Sequence, residues 1–169
     1  MSEGSSASGD SRPEENPPGL PVPEGDVHDW YLRGMELLGR GSPAAAAQVL
    51  QRASSAEPGS RSIREALARA QFDAGRYPEA ADNFRVIVEA SPSDDYAHFG
   101  LGLALARSGD HAAAAEYLAL ASAMRPDAAH YTDALRSVRA TLRARAAVRP
   151  EDRDGPRPGP HDDGQQGGR

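Results

Sequence analysis

The residues that could carry acid–base or metal chemistry in this 169-residue chain are five histidines and 25 carboxylates. The histidines are spread over the whole length and none stands in a metal-ligand spacing such as HExxH; they are His28, His98, His111, His130 and His161. The chain has no cysteine, which excludes thiol nucleophiles, thiolate zinc sites and disulfides. Because catalysis needs titratable groups that converge, we predict a protein that is not an enzyme and has no metal or cofactor site.

Two short motifs resemble ligand-binding loops but lack the sequence context of such loops. Gly100-Leu101-Gly102 is half of a dinucleotide-binding loop, yet it lies within helical apolar spacing and no strand precedes it. We interpret it as a site of close helix packing. The carboxylates in residues 149–169 lack the alternation of a calcium-binding loop, so we assign them to a solvated tail.

All 19 basic residues are arginines, and some of them could contact phosphates. Arg136, Arg139 and Arg143 share one face of a predicted helix. Nevertheless, the central region that holds them is neutral, so it lacks the broad positive field that non-specific nucleic-acid binding requires. A solvated helix face is the favoured interpretation, and nucleic-acid contact is the less favoured alternative.

Charge and composition divide the chain into a central region and two tails. Residues 1–26 carry a net charge of −5 and residues 149–169 a net charge of −1, whereas residues 27–148 hold 14 arginines and 14 carboxylates. Glycine and proline concentrate in the tails, which we predict to be disordered. Neither a membrane-spanning apolar run nor the apolar stretch of a secretory signal is present, so we expect a cytoplasmic protein without membrane contact.

The central region repeats with a period of 34 residues. Three residue types recur at this spacing: Pro58, Pro92 and Pro126; Gly41, Gly75 and Gly109; Ala46, Ala80 and Ala114. The period defines three units, residues 27–60, 61–94 and 95–128, each with two stretches of helical apolar spacing around a glycine turn. Each unit is therefore predicted to be a helical hairpin.

Several residues of each unit have readable mechanical roles. The turn glycines are expected to adopt the left-handed conformation that ends the first helix, and Ser42 and Asp110, which follow two of them, are expected to cap the second helix. Gly34 and Gly102 are expected to face the small repeated alanine where the two helices cross closely. The repeated prolines end the second helix.

This pattern resembles the tetratricopeptide repeat (TPR) family. In the first unit the family's defining places hold Trp30, Arg33, Gly34, Leu37, Gly41, Ala46, Leu50, Ala53 and Pro58. The other two units match similarly, and the departures are Arg33, Arg64, Gln71 and Ile87. The resemblance implies an all-α solenoid of three helix-turn-helix TPR repeats, followed by a C-terminal capping helix over residues 129–148, where apolar residues recur at helical spacing.

In this family the first helices of the repeats line a concave groove that binds partners. Carried over by position, the groove residues are Tyr31, Met35, Leu38, Glu65, Arg69, Phe72, Tyr96, Phe99, Leu103 and Arg107. Rigid aromatic side chains and arginine are typical of binding hot spots. The alternative is that these aromatic residues pack on neighbouring helices and only support the fold.

The resemblance also indicates what the groove does not bind. The family's carboxylate clamp for Hsp70 and Hsp90 tails uses lysine, asparagine and arginine, and the matching positions here hold Tyr31, Met35, Ala66, Tyr96 and Gly100. We therefore expect another protein as the partner, contributing an extended or helical segment with two or three apolar anchors.

Three functional readings of this groove remain open. The favoured one is a protein-interaction adaptor or scaffold. A small secretion-type or cargo chaperone of the three-repeat class is the alternative. In the third, self-association, Leu20 and Val22 of the N-terminal tail or a second copy of the protein fill the groove until a partner displaces them.

Overall fold

The computed structural model describes residues 25–148, and within that range all regular structure is helical. The seven helices are α1 (Val27–Gly39), α2 (Pro43–Ala56), α3 (Arg61–Asp73), α4 (Tyr77–Ala90), α5 (Asp95–Ser108), α6 (His111–Met124) and α7 (Ala129–Val148). Each helix packs on the next, and α3 also contacts α1 and α5. The predicted all-α solenoid is confirmed. The predicted tails lie outside the described residues, apart from Gly25 and Asp26.

The turns within the hairpins follow the prediction for glycine and differ from it for one cap. Gly41, Gly75 and Gly109 have φ values of 71°, 77° and 96°, in the left-handed region that favours glycine. The side chain of Asp110 accepts a hydrogen bond of 3.0 Å from the Ala113 N–H and caps α6. The expected cap at Ser42 is wrong, because its hydroxyl makes no cap hydrogen bond. Asp110 makes its cap bond from a similar backbone conformation.

Glycines inside the helices make room for large side chains of the neighbouring helix. A Cβ atom on Gly34 would lie 2.4 Å from Leu50 Cγ, and one on Gly102 would lie 2.7 Å from Leu118 Cγ. These glycines therefore make room for a leucine of the second helix. The sequence had indicated the repeated alanine at this place. A Cβ atom on Gly100 would lie 2.5 Å from Phe84 Cζ, so the Gly-Leu-Gly motif is a site of close helix packing, as expected.

Two residues that depart from the family pattern join one polar network. Gln71 is 2% exposed, and its side-chain carbonyl accepts a hydrogen bond of 2.8 Å from the Asn83 amide. Asn83 Oδ1 in turn accepts one of 3.1 Å from Arg64, whose guanidinium also donates to the Pro58 carbonyl. The buried glutamine is thereby satisfied, and the network connects the end of the first repeat with both helices of the second.

A second polar cluster fastens the capping helix to the third repeat. Asp95, in the first turn of α5, accepts hydrogen bonds from the Tyr131 hydroxyl at 2.8 Å and from Arg125 at 3.1 Å. Burial by itself would raise the pKa of Asp95, but these two donors outweigh it and hold the pKa below its ordinary value. Burial and the Asp95 carboxylate together raise the pKa of Tyr131 from 10.0 to about 12.

The raised pKa of Tyr131 predicts an alkaline loss of stability. Because the folded pKa lies above the unfolded one, the stabilisation by the neutral phenol is complete below about pH 10 and is lost as the pH rises towards about 12. The free energy of unfolding should therefore fall more steeply over this range in the wild type than in a Tyr131→Phe variant. Denaturant titrations of both proteins across the range measure this difference, and parallel curves would contradict the assignment.

Candidate functional site

Three small cavities lie along the face formed by the first helices of the repeats. The first, about 220 Å³, lies between the N-terminal ends of α1 and α3 and is lined by Val27, His28, Tyr31, Glu57, Ser60, Ser62 and Ile63. The second, about 160 Å³, is lined by Tyr31, Met35, Ser62, Glu65, Ala66, Arg69 and Tyr96. The third, about 180 Å³, is lined by Arg69, Phe72, Asp73, Phe84, Tyr96, Phe99, Gly100 and Leu103.

Neighbouring cavities share lining residues and so form one groove. Tyr31 and Ser62 belong to both the first and the second cavity, and Arg69 and Tyr96 belong to both the second and the third. The groove crosses α1, α3 and α5 in that order. Tyr96 and Arg69 lie where the second and third cavities meet, so a segment that fills both of these cavities would contact them.

The structure brings eight of the ten predicted groove residues together around the second and third cavities; they are Tyr31, Met35, Glu65, Arg69, Phe72, Tyr96, Phe99 and Leu103. The other two, Leu38 and Arg107, do not line these cavities. Leu38 packs against the buried cluster that contains Leu50 and Leu67. The guanidinium of Arg107 lies 5.8 Å from the centre of the Tyr77 ring, a cation–π contact at the rim.

The groove aromatic residues also support the fold, and Phe72 and Phe99 make the closest ring contacts. Phe72 packs edge-on against Tyr77 with ring centres 5.3 Å apart, and Phe99 stacks on Tyr131 of the capping helix at 4.3 Å. Both rings are half-buried. The alternative that these aromatic side chains pack on neighbouring helices is therefore correct for part of each ring, and the remaining part faces the cavity.

Tyr96 is the most open aromatic residue of the groove. Its side chain is 37% exposed, and its ring meets Phe84 edge-on at 6.3 Å. Burial raises the pKa of Tyr96; Arg69 opposes the rise, whereas Glu65, Asp73 and Asp94 add to it. The hydroxyl therefore stays protonated at neutral pH and is available as a hydrogen-bond donor to a bound segment.

The charged side chains of the groove are only loosely paired. Arg69 is 57% exposed and its Nε lies 4.0 Å from the Asp73 carboxylate, while Glu65 lies 3.9 Å from Arg61. Exposed pairs at such distances contribute little to stability. Arg69 and Glu65 can therefore turn towards a partner at small cost to the fold.

The positions of the family's carboxylate clamp lie in this groove but carry different chemistry. Tyr31, Met35, Ala66 and Tyr96 line the second cavity, and Gly100 lines the third. None of the five is a cation. The groove therefore offers aromatic and apolar surface where a clamp would offer charge.

The sequence did not indicate that Glu57 and Ser60 line the first cavity or that Phe84 lines the third. Glu57 and Ser60 belong to the turn between the first two repeats, whose path the helical spacing does not fix. Phe84 sits on a second helix and reaches the groove because Gly100 has no side chain to cover it. A glycine opposite an aromatic core residue is the signal that would have found it.

The capping helix carries a separate basic surface. Arg136, Arg139 and Arg143 line a shallow cavity of about 190 Å³ with Thr132 and Leu135. Arg136 is paired with Asp133 at 2.6 Å. Within residues 25–148, no cluster of histidine and carboxylate side chains could hold a metal ion.

None of the helices in the described part of the chain is long and apolar enough to cross a membrane.

Family models of the tetratricopeptide repeat match residues 31–95 and residues 71–138. Together they cover more than half of the chain, including all of α3 to α6. A search of curated proteins finds no match.

Solved structures of TPR proteins have the same fold at low sequence identity. A double mutant of MamA from RS-1 superposes with a TM-score of 0.67 at 20% identity, covering 69% of this chain and 66% of the MamA chain. The first TPR domain of Spaghetti (RPAP3), bound to the HSP90 peptide SRMEEVD, gives 0.64 at 17% identity, covering 69% and 92%. YrrB, a TPR protein with an unusual peptide-binding site, gives 0.62 at 23% identity, covering 66% and 58%. The sequence matches and the shared fold show that this chain belongs to the tetratricopeptide repeat family.

Proposed function

We propose that the chain is a non-enzymatic adaptor that holds a segment of a partner protein in the groove across α1, α3 and α5. The TPR family is a family of protein-interaction scaffolds. Of the similar structures, the Spaghetti (RPAP3) domain is bound to a peptide and YrrB has a peptide-binding site. The observation that carries the proposal is the continuity of the three cavities, with the exposed ring of Tyr96 at their junction. The mechanism is presentation of a pre-formed surface.

The chemistry of the groove favours a partner segment with apolar anchors. The third cavity has an apolar wall formed by Phe72, Phe84, Phe99 and Leu103. Arg69 is the exposed cation beside it and can pair with a carboxylate of the segment. A segment with two or three apolar side chains and a nearby acidic residue fits this arrangement. This fit is the same in the cytoplasm as in any other aqueous compartment.

Tyr96→Ala is expected to weaken the binding of such a segment about 10- to 100-fold, because the ring is a central and rigid contact. The variant should remain folded, since the ring is partly exposed and lies against only the edge of Phe84. The probe is a peptide selected from a random display library on the wild-type chain, with its affinity measured by calorimetry.

Leu120→Ala is the matched control for this measurement. Leu120 is 47% exposed and lies on α6, outside the lining of the three cavities. The Leu120→Ala variant should bind the peptide with the same affinity as the wild type. If Tyr96→Ala and Leu120→Ala bind the peptide equally well, the binding site is not the groove.

The basic surface of α7 supports a second candidate function, contact with phosphates. Within the described residues the helix carries four arginines and one aspartate, and Arg139 and Arg143 make no ion pair within 4.0 Å. The dependence of binding on salt concentration distinguishes the two functions. Binding through phosphates should weaken steeply between low and moderate ionic strength, whereas binding in the apolar groove should change little.

A further inference from the structure

The groove begins at the point where the described chain begins. Val27 and His28, in the first turn of α1, line the first cavity, and Gly25 is the first described residue. Gly25 has a φ of 126°, in the region that favours glycine, and lies directly against Asp29. The preceding segment therefore starts beside the first turn of α1, next to one end of the groove.

The segment before Gly25 has the length to follow the groove. Residues 17–24 read PPGLPVPE, and four prolines in eight residues favour an extended polyproline II conformation. At about 3.1 Å per residue the eight residues span about 25 Å. Crossing from α1 to α5 takes two helix-to-helix steps of about 8 to 10 Å each. The segment can therefore reach from the first cavity to the third.

The side chains of this segment match the groove in type and order. Leu20 and Val22 are the only leucine, isoleucine, valine or aromatic residues in residues 1–24. In an extended segment, Val22 lies about 9 Å and Leu20 about 16 Å from Gly25, so Val22 precedes Leu20 just as the first cavity precedes the second along the groove. Tyr31 joins these two cavities, and Tyr96 stands at the far end of the second. Proline-rich extended segments commonly bind to grooves lined by aromatic rings.

We propose that residues 17–24 of the same chain occupy the groove, with Val22 and Leu20 against the rings of Tyr31 and Tyr96, and that a partner segment must displace them. The inference rests on the proposed function, because it assigns a regulator to the same groove. If the segment occupies the groove for about nine-tenths of the time, it lowers the apparent affinity for a partner about tenfold.

A spin-label experiment on the full chain tests the position of the segment. Because the chain has no cysteine, Gly19→Cys provides one site for a nitroxide label. We expect the label to broaden the amide resonances of Ser62, Glu65 and Arg69 in α3 more strongly than those of α6, which lies behind α5. Adding Leu20→Asp and Val22→Asp should weaken this broadening strongly, whereas Ser5→Asp and Ser6→Asp, which add the same charge outside the segment, should leave it intact.

A mixed sample identifies the chain that supplies the segment. It combines nitroxide-labelled chains without isotope and ¹⁵N-labelled chains without a nitroxide. Occupation by the same chain is supported if the resonances are sharp in the mixture but broadened when one chain carries both the nitroxide and the isotope. Broadening in the mixture means that a second copy fills the groove and overturns the proposal, as does the absence of broadening in both samples.

Peptide affinity separates failure of this inference from failure of the proposed function. The Leu20→Asp, Val22→Asp variant should bind the display-selected peptide about tenfold more tightly than the wild type. Equal affinities, with Tyr96→Ala still weaker, would overturn occupation of the groove and leave the adaptor function standing. If Tyr96→Ala also binds as tightly as the wild type, the groove itself is not the binding site.

Discussion

Replacing Tyr131 by alanine should lower the free energy of unfolding by about 3 to 5 kcal/mol, the largest effect expected of a single substitution here. The ring is 2% exposed, stacks on Phe99 at 4.3 Å, and carries the hydroxyl that donates to Asp95. Its removal leaves a cavity between α5 and α7 and exposes one end of the solenoid, which the capping helix otherwise covers. Urea denaturation followed by circular dichroism measures the change.

Tyr131→Phe separates the ring from its hydrogen bond. Phenylalanine keeps the stacking on Phe99 but leaves Asp95 with Arg125 as its remaining side-chain donor. The cost should be about 1 to 3 kcal/mol, because the lost hydrogen bond has a charged acceptor. A Tyr131→Ala variant as stable as Tyr131→Phe would show that the ring does not hold the capping helix in place.

Gly34→Ala should destabilise the protein by about 2 kcal/mol, although alanine is the better helix former. The new Cβ atom would lie 2.4 Å from Leu50 Cγ and 2.6 Å from Leu50 Cδ2, and Leu50 is fully buried. The methyl group can be accommodated only if the Leu50 side chain shifts or α1 and α2 move apart. That overpacking outweighs the helix-propensity gain of about 1 kcal/mol.

Gly39→Ala is the control within the same helix. A Cβ atom on Gly39 would meet no atom within 4 Å, so this substitution should stabilise the protein by about 0.5 kcal/mol. A double-mutant cycle of Gly34→Ala with Leu50→Ala should show a favourable coupling, because the smaller side chain relieves the contact. Equal stabilities of Gly34→Ala and Gly39→Ala would mean that the helices are not in close contact at Gly34.

The fold could be predicted from the sequence because it is encoded several times in each unit. The period of 34 residues places proline, glycine and alanine at equivalent positions, and each of these residues has one dominant local effect on a helix. The left-handed turns at Gly41 and Gly75 illustrate this, since no distant contact is needed to specify them. The groove positions follow from the same register.

The details that the sequence did not reveal depend on contacts between distant residues. The stacking of Phe99 on Tyr131 joins the third repeat to the capping helix, which has no counterpart in the repeat pattern. Gln71 breaks the apolar pattern, yet it is buried because Asn83, on the neighbouring helix, supplies its hydrogen bond. The helical spacing places a side chain on one face of its helix, whereas its hydrogen-bond and packing partners depend on residues far away in the sequence.

The most direct test of partner binding in the groove is a titration of the ¹⁵N-labelled chain with the display-selected peptide, followed through its amide chemical shifts. The proposed function predicts that the largest changes fall on residues around the second and third cavities, in α1, α3 and α5 and centred on Arg69 and Tyr96. Largest changes on α2 and α6, or on the basic surface around Arg139 in α7, would contradict it.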